Sequence, residues 1–176
     1  MSASRRARLG AAVAFVAVAG LGGTPAAAGP AQTDAARITA AGVGQVRLGA
    51  TFRSVRADGA VGGLRRGCEL AGPDARTARL RAPLRGSVTL SADSPRRVTD
   101  IQVSGGARAR GVGVGSTAAA IRRAFPRARF DHSTDDVFGV TIAKVPRGGG
   151  GRIQFAVDVA TRKVTTIGVP ALAFCE

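Results

Sequence analysis

Leu48-Gly49-Ala50-Thr51, followed by Val55-Arg56, returns 66 residues later as Val114-Gly115-Ser116-Thr117, followed by Ile121-Arg122. The same offset carries Val98-Thr99-Asp100-Ile101-Gln102-Val103 onto Val164-Thr165-Thr166-Ile167-Gly168-Val169. Between these anchors, Gly86-Ser87-Val88-Thr89-Leu90 matches Gly151-Arg152-Ile153-Gln154-Phe155 at an offset one residue shorter. Three segments in one order at nearly one offset point to an internal duplication.

Each copy reads the same way locally. A short strand, Val43 to Leu48 or Ala109 to Val114, is broken by Gly49 or Gly115, which accepts the backbone angles of a strand-to-helix turn. Thr51 and Thr117, or Ser116, can then cap a helix by accepting from an otherwise unpaired amide. Ile121 and Phe125 lie four apart on one helical face before Pro126 stops the helix, while Phe52 and Val55 play that part in the first copy. After each helix the period changes to two: Ala78, Leu80 and Ala82 alternate with Arg79 and Arg81. Val137 to Val145 is the corresponding strand in the second copy, and Arg152 to Val159 and Lys163 to Val169 follow. Such alternation predicts half-buried antiparallel strands. The expected fold class is therefore α+β: two tandem copies of a short helical segment packed on a small antiparallel sheet. The expected boundaries are 38–104 and 105–176, the second including a C-terminal tail, after a flexible segment at 29–37.

The repeated strand, [Leu/Val]-Gly-[Ala/Ser]-Thr and short helix followed by a meander resemble the β-lactamase inhibitor protein fold. They are also similar to the small lipoprotein of the outer-membrane barrel-assembly machinery, which carries one such unit. Leu48, Gly49, Thr51 and Val55, then Val114, Gly115, Thr117 and Ile121, carry the resemblance. It implies an extracytoplasmic module that works by binding.

The N-terminus reads as an address. Arg5, Arg6 and Arg8 precede an apolar run from Leu9 to Leu21, and Ala26-Ala27-Ala28 supplies a small-residue exit, so 1–28 is expected to be a cleaved signal peptide. Thirteen apolar residues rise only about 20 Å as a helix, short of a bilayer core. Export by either the general or the twin-arginine route places the mature chain outside the cytoplasm, with no transmembrane segment after cleavage. Two cysteines remain, Cys68 and Cys175, and in an exported chain they are expected to form one disulfide.

A chain of 176 residues, 45% hydrophobic and 21% charged, can bury one core or two small ones. These figures exclude a multidomain enzyme, a polytopic membrane protein and a disulfide-dense scaffold. The charge balance is lopsided, at +15. Arg79 and Arg81 would project from one face of a strand, with Arg97 nearby in sequence and Arg122 and Arg123 on the second helix. Together they form the candidate binding face. Such a face attracts an acidic protein or an anionic cell-envelope polymer. No nucleic acid is expected, because the chain has no Tyr or Trp to stack on bases. The outer sheet face and the hairpin near Gly148 to Gly151 are the expected contact surfaces.

Two further motifs bear on chemistry. Gly111-Val112-Gly113-Val114-Gly115-Ser116-Thr117 lacks the lysine of a phosphate-binding loop, so no cofactor is expected. Asp131-His132-Ser133-Thr134-Asp135-Asp136 has oxygen ligands at alternating positions, but calcium loops need more carboxylates and a central Gly, so it reads as a solvated loop and no metal is expected. His132 with Asp131 or Asp136 is the one acid–base set a secreted hydrolase or anion-binding enzyme could use. No nucleophile stands at a recognisable spacing from it, so the favoured reading is a secreted, non-catalytic binding module: an inhibitor or a cell-envelope interaction protein.

Overall fold

The computed structural model describes residues 36–69, 72–146 and 152–174. The expected leader at 1–28, Gly148 to Gly151 and Cys175 lie outside them. In chain order, β1 (Ala36–Thr39) leads into a tight hairpin of β2 (Gly42–Val43) and β3 (Val46–Arg47), followed by α1 (Phe52–Ala57). A meander of four strands follows: β4 (Val61–Arg66), β5 (Arg76–Leu80), β6 (Arg85–Leu90) and β7 (Val98–Gly105). The order then recurs with the hairpin β8 (Ala107–Ala109) and β9 (Val112–Gly113), then α2 (Ala118–Ala124). The second meander is β10 (Arg129–Asp131), β11 (Val140–Pro146), β12 (Arg152–Asp158) and β13 (Val164–Val169), with one helical turn, α3 (Asp135–Phe138), before β11.

This corrects the expected fold class. Strand makes up 49% of the described residues and helix 14%, in three short pieces, so the protein is mostly β and not a pair of helical repeats on a small sheet. Two local causes are visible. Asp58-Gly59 and Phe125-Pro126 cut α1 and α2 to six and seven residues, fewer than two full turns each. The segments read as single opening strands are hairpins instead, reversed at Gly44 (φ 56°) and at Arg110-Gly111 (φ 48° and 81°). Positive φ at such a turn matches the twist of the strands it joins. These hairpins, with β1 between them, build a second sheet in the order β3-β2-β1-β8-β9 that the sequence reading did not contain. The strand expected from Val137 also starts later, because α3 takes 135–138 and Gly139 (φ 64°) turns the chain into β11.

The same contacts hold both strand-to-helix turns. Gly49 N–H donates to the Val98 carbonyl and Gly115 N–H to that of Val164, each at 2.8 Å. Thr51 Oγ1 accepts from Ser54 N–H and Thr117 Oγ1 from Ala120 N–H, each at 3.2 Å, so each helix begins on a side-chain cap.

The larger sheet has eight antiparallel strands in the order β10-β11-β12-β13-β7-β6-β5-β4. The two meanders meet at β7 and β13, where Ile101 faces Val169, Gln102 faces Gly168 and Val103 faces Ile167. A shift of 66 residues maps this set of pairs onto itself, so in pairing order the two meanders take equivalent positions about Gln102 and Gly168. One face carries the core: Val88, Ile101, Phe155 and Ile167 pack in one cluster with Val55 and Ile121 of the helices and Val43 and Val46 of the small sheet. Side chains alternate across the pleat, so the residues between them form the opposite, outer face.

Candidate functional site

The outer face is built from two halves with equivalent positions and different residues. Across the middle, the paired residues run Lys144, Gln154, Gly168, Gln102, Ser87, Arg79. Beside that row, the β10–β13 half carries Asp131, Ile142, Ala156 and Thr166, and the β4–β7 half carries Arg65, Thr77, Thr89 and Asp100. About that centre the register sets Arg65 where Asp131 stands, Arg79 for Lys144, Thr77 for Ile142 and Thr89 for Ala156, so Thr89 falls two residues beyond the Gln154 that the sequence match gives it.

The β10–β13 half is closed by the chain itself. Ile142 and Ala156 are buried although they face away from the core. The segment Ala171–Phe174 lies over this half: Leu172 N–H donates to Gln154 Oε1 at 2.9 Å, and Gln102 Nε2 donates to the Ala173 carbonyl at 3.0 Å. Gly168 provides the clearance, since a Cβ there would lie 2.3 Å from the Ala171 carbonyl oxygen. Phe174 then stacks on Phe138 of α3, ring centroids 4.9 Å apart. Charges are also neutralised in this half: Lys144 Nζ donates to Asp131 Oδ2.

The β4–β7 half is open. Arg65, Arg79 and Arg81 are exposed, and Thr77, Ser87 and Thr89 are half-buried beside them. The diagonal that pairs Asp131 with Lys144 in the other half here sets Arg65 beside Arg79. Like charges at neighbouring sheet positions repel. Among the described residues no carboxylate forms an ion pair with Arg65, Arg79 or Arg81; the ion pairs are His132–Asp135 and Lys144–Asp131.

The five arginines expected as one binding face are thus divided. Arg79 lies on the outer face of β5, and Arg81 is exposed one residue past the end of that strand. Arg97, at the turn into β7, gives Nη1 to the Gly49 carbonyl at 2.9 Å and helps hold the strand-to-helix junction. Arg122 and Arg123 stand on α2, across the core from the outer face, with the Arg122 guanidinium 3.9 Å from the centre of the Phe130 ring. Sequence reading missed Arg65, because Gly62 and Gly63 mask the strand that carries it, and it missed Thr77, Ser87 and Thr89, whose strands place them in register with it. The alternation of Thr77 and Arg79 with Ala78 and Leu80 was the available signal.

The acid–base set is rearranged as well. His132 Nδ1 lies 2.8 Å from Asp135 Oδ2, not on Asp131 or Asp136, and Thr141 Oγ1 donates to the other oxygen of Asp135 at 2.8 Å. The carboxylate sits between the imidazole and the hydroxyl, so the ring is not placed to take a proton from that hydroxyl, as nucleophile activation requires. No group of three His, Cys, Asp or Glu that could hold a metal exists among the described residues. A cleft of about 310 Å³ near the end of β4, lined among the described residues by Arg66, Gly67, Glu69, Gly72 and Pro73, brings one cation and one anion together. Among the described residues no helix is long and apolar enough to cross a membrane. Cys68 is disulfide-bonded, and Cys175, its expected partner, lies outside the described residues.

The carboxylates of the closed half give the fold an acid-sensitive seam. The Lys144 ammonium, then the Ser133 amide, hold Asp131 well below the usual carboxylate range. His132, then the Thr141 hydroxyl, lower Asp135. Folded values below the unfolded ones mean that this stabilisation is complete above the unfolded carboxylate pKa, about 4, and is lost as pH falls through the folded values. Thermal melts of Asp131→Asn are therefore expected to show a lower Tm than the parent at pH 7 and a shallower fall below about pH 4. Parallel pH profiles would contradict this.

No protein-family model, no curated protein and no solved structure matches the chain.

Proposed function

We propose that this chain is a non-catalytic binding module, acting outside the cytoplasm, that holds an anionic partner on the open β4–β7 half of its large sheet. The observation that carries this reading is the exchange of Asp131 and Lys144, an ion pair, for Arg65 and Arg79, two cations on the same diagonal. An anion bound between the two arginines would supply the charge that Asp131 supplies in the other half. The surrounding charge favours its approach, because a net charge of +15, of which Arg5, Arg6 and Arg8 of the leader supply three, draws anions toward any cationic face. The export signal read in residues 1–28 supports a partner in the cell envelope, and the resemblance to a family of binding modules supports function without chemistry.

A heparin column provides the test. The mature chain is expected to elute above about 0.2 M salt, because each arginine on the polyanion releases counterions on binding. Arg65→Gln with Arg79→Gln should elute clearly earlier, while Arg122→Gln with Arg123→Gln, which removes equal charge across the core, should move elution little. Equal shifts for the two pairs would reduce the open half to one part of a diffusely basic surface and defeat the proposal.

A further inference from the structure

We infer that the partner is a linear polyol phosphate, lying along β5 with successive phosphates on Arg65, Arg79 and Arg81. This rests on the reading of the open half as an anion site and adds the chemical class of the anion. Arg79 is on β5 and Arg81 is the residue just past its end, where its N–H still donates to the Ala60 carbonyl at 2.9 Å, so the two Cα atoms are one extended two-residue step, about 6.8 Å, apart. Arg65 faces Thr77 across the β4–β5 ladder, which places it the same step before Arg79 along the strand axis and one strand spacing, about 4.8 Å, to the side. The three cations therefore form a ladder with one regular axial step. An extended phosphodiester chain with a three-carbon spacer repeats its charge at nearly this distance.

The neighbouring strand suits the spacer. Ser87 faces Arg79 and Thr89 faces Thr77, so a lane of half-buried hydroxyls runs beside the arginines and can meet both phosphate oxygens and polyol hydroxyls. Guanidinium groups grip phosphate through paired donors, which the three arginines, in no ion pair among the described residues, leave available. A nucleic acid would present the same charge spacing but needs surfaces for its bases. No aromatic side chain stands on β4, β5, β6 or β7.

Calorimetry with synthetic oligo(glycerol phosphate) of one to five phosphates tests this on the mature chain. Affinity is expected to rise roughly tenfold for each of the second and third phosphates, about one charge-assisted contact each, and then to level off. The slope of log K against log salt for the three-phosphate oligomer should be about −2, the value for three neutralised phosphates on a flexible strand. Arg81→Gln should bring the three-phosphate oligomer to the affinity of the two-phosphate one, with the melting temperature unchanged. Saturation by a single phosphate, or equal binding of oligoglutamate with the same charge, would overturn the polymer assignment and leave the anion site standing. If no oligomer binds and the heparin experiment also fails, both readings fall together.

Discussion

Phe155→Ala is expected to lower the stability of the fold by about 3–5 kcal/mol, the cost of removing a buried aromatic ring and leaving its cavity. The ring is fully buried at 0% exposure and is the largest side chain so enclosed. It stands on β12 between Ala143 and Ile167 and meets the Phe125 ring with centroids 5.7 Å apart. Its neighbours belong to three strands and to the end of α2, so no single element can shift to fill the space. The midpoint of thermal unfolding should drop by on the order of 10 °C or more. Urea titration of the variant beside Phe138→Ala, whose ring is exposed and stacks on Phe174, makes the comparison internal. A loss below about 1 kcal/mol would mean that the core does not close around this residue.

Gly86→Ala is expected to cost a comparable amount, about 3 kcal/mol or more, for a different reason. Gly86 has φ of 136°, where side chains are rarely tolerated, and a Cβ there would lie 1.9 Å from the Gln102 carbonyl oxygen. The obstruction is backbone of the adjacent strand, so rotating a side chain cannot relieve it. The glycine sits where the pairing of β6 and β7 shifts register between Arg85 and Gly86, and that shift puts Ser87 opposite Gln102. Replacing it forces β6 away from β7 or undoes the bulge, and either change disturbs the outer face. Hydrogen exchange should therefore show amides of β6 and β7 losing protection before those of β11 and β12. A variant as stable as the parent would show that the bulge is not fixed by this residue.

Local chemistry was legible in the sequence where a few neighbouring residues decide the structure. The Thr51 and Thr117 caps, the breaks at Gly49 and Gly115 and the strands around Val88 and Phe155 need only short-range rules. Phe52–Val55 and Ile121–Phe125 have helical spacing, yet Gly59 and Pro126 leave too few residues for a helical layer. The hairpins at Gly44 and Arg110-Gly111 leave no signal in the sequence, because strands of two or three residues have no period to detect. The candidate site was the least legible part. Arg65 reaches the row of Thr77 only because the ladder shifts register between Val61 and Leu64. That Arg65 and Arg79 replace Asp131 and Lys144 depends on pairing between strands, not on spacing along one. Separating Arg122 and Arg123 from Arg79 likewise requires knowing which side of the sheet α2 covers.

Mapping backbone amide shifts while a short polyanion is titrated in tests the central claim most directly. The account predicts progressive, salt-sensitive shifts for Arg65, Thr77, Arg79, Arg81 and Ser87, with Ile142, Ala156 and the amides of α2 unmoved. Shifts centred on Arg122 and Arg123, or spread evenly over every cationic surface, would contradict it.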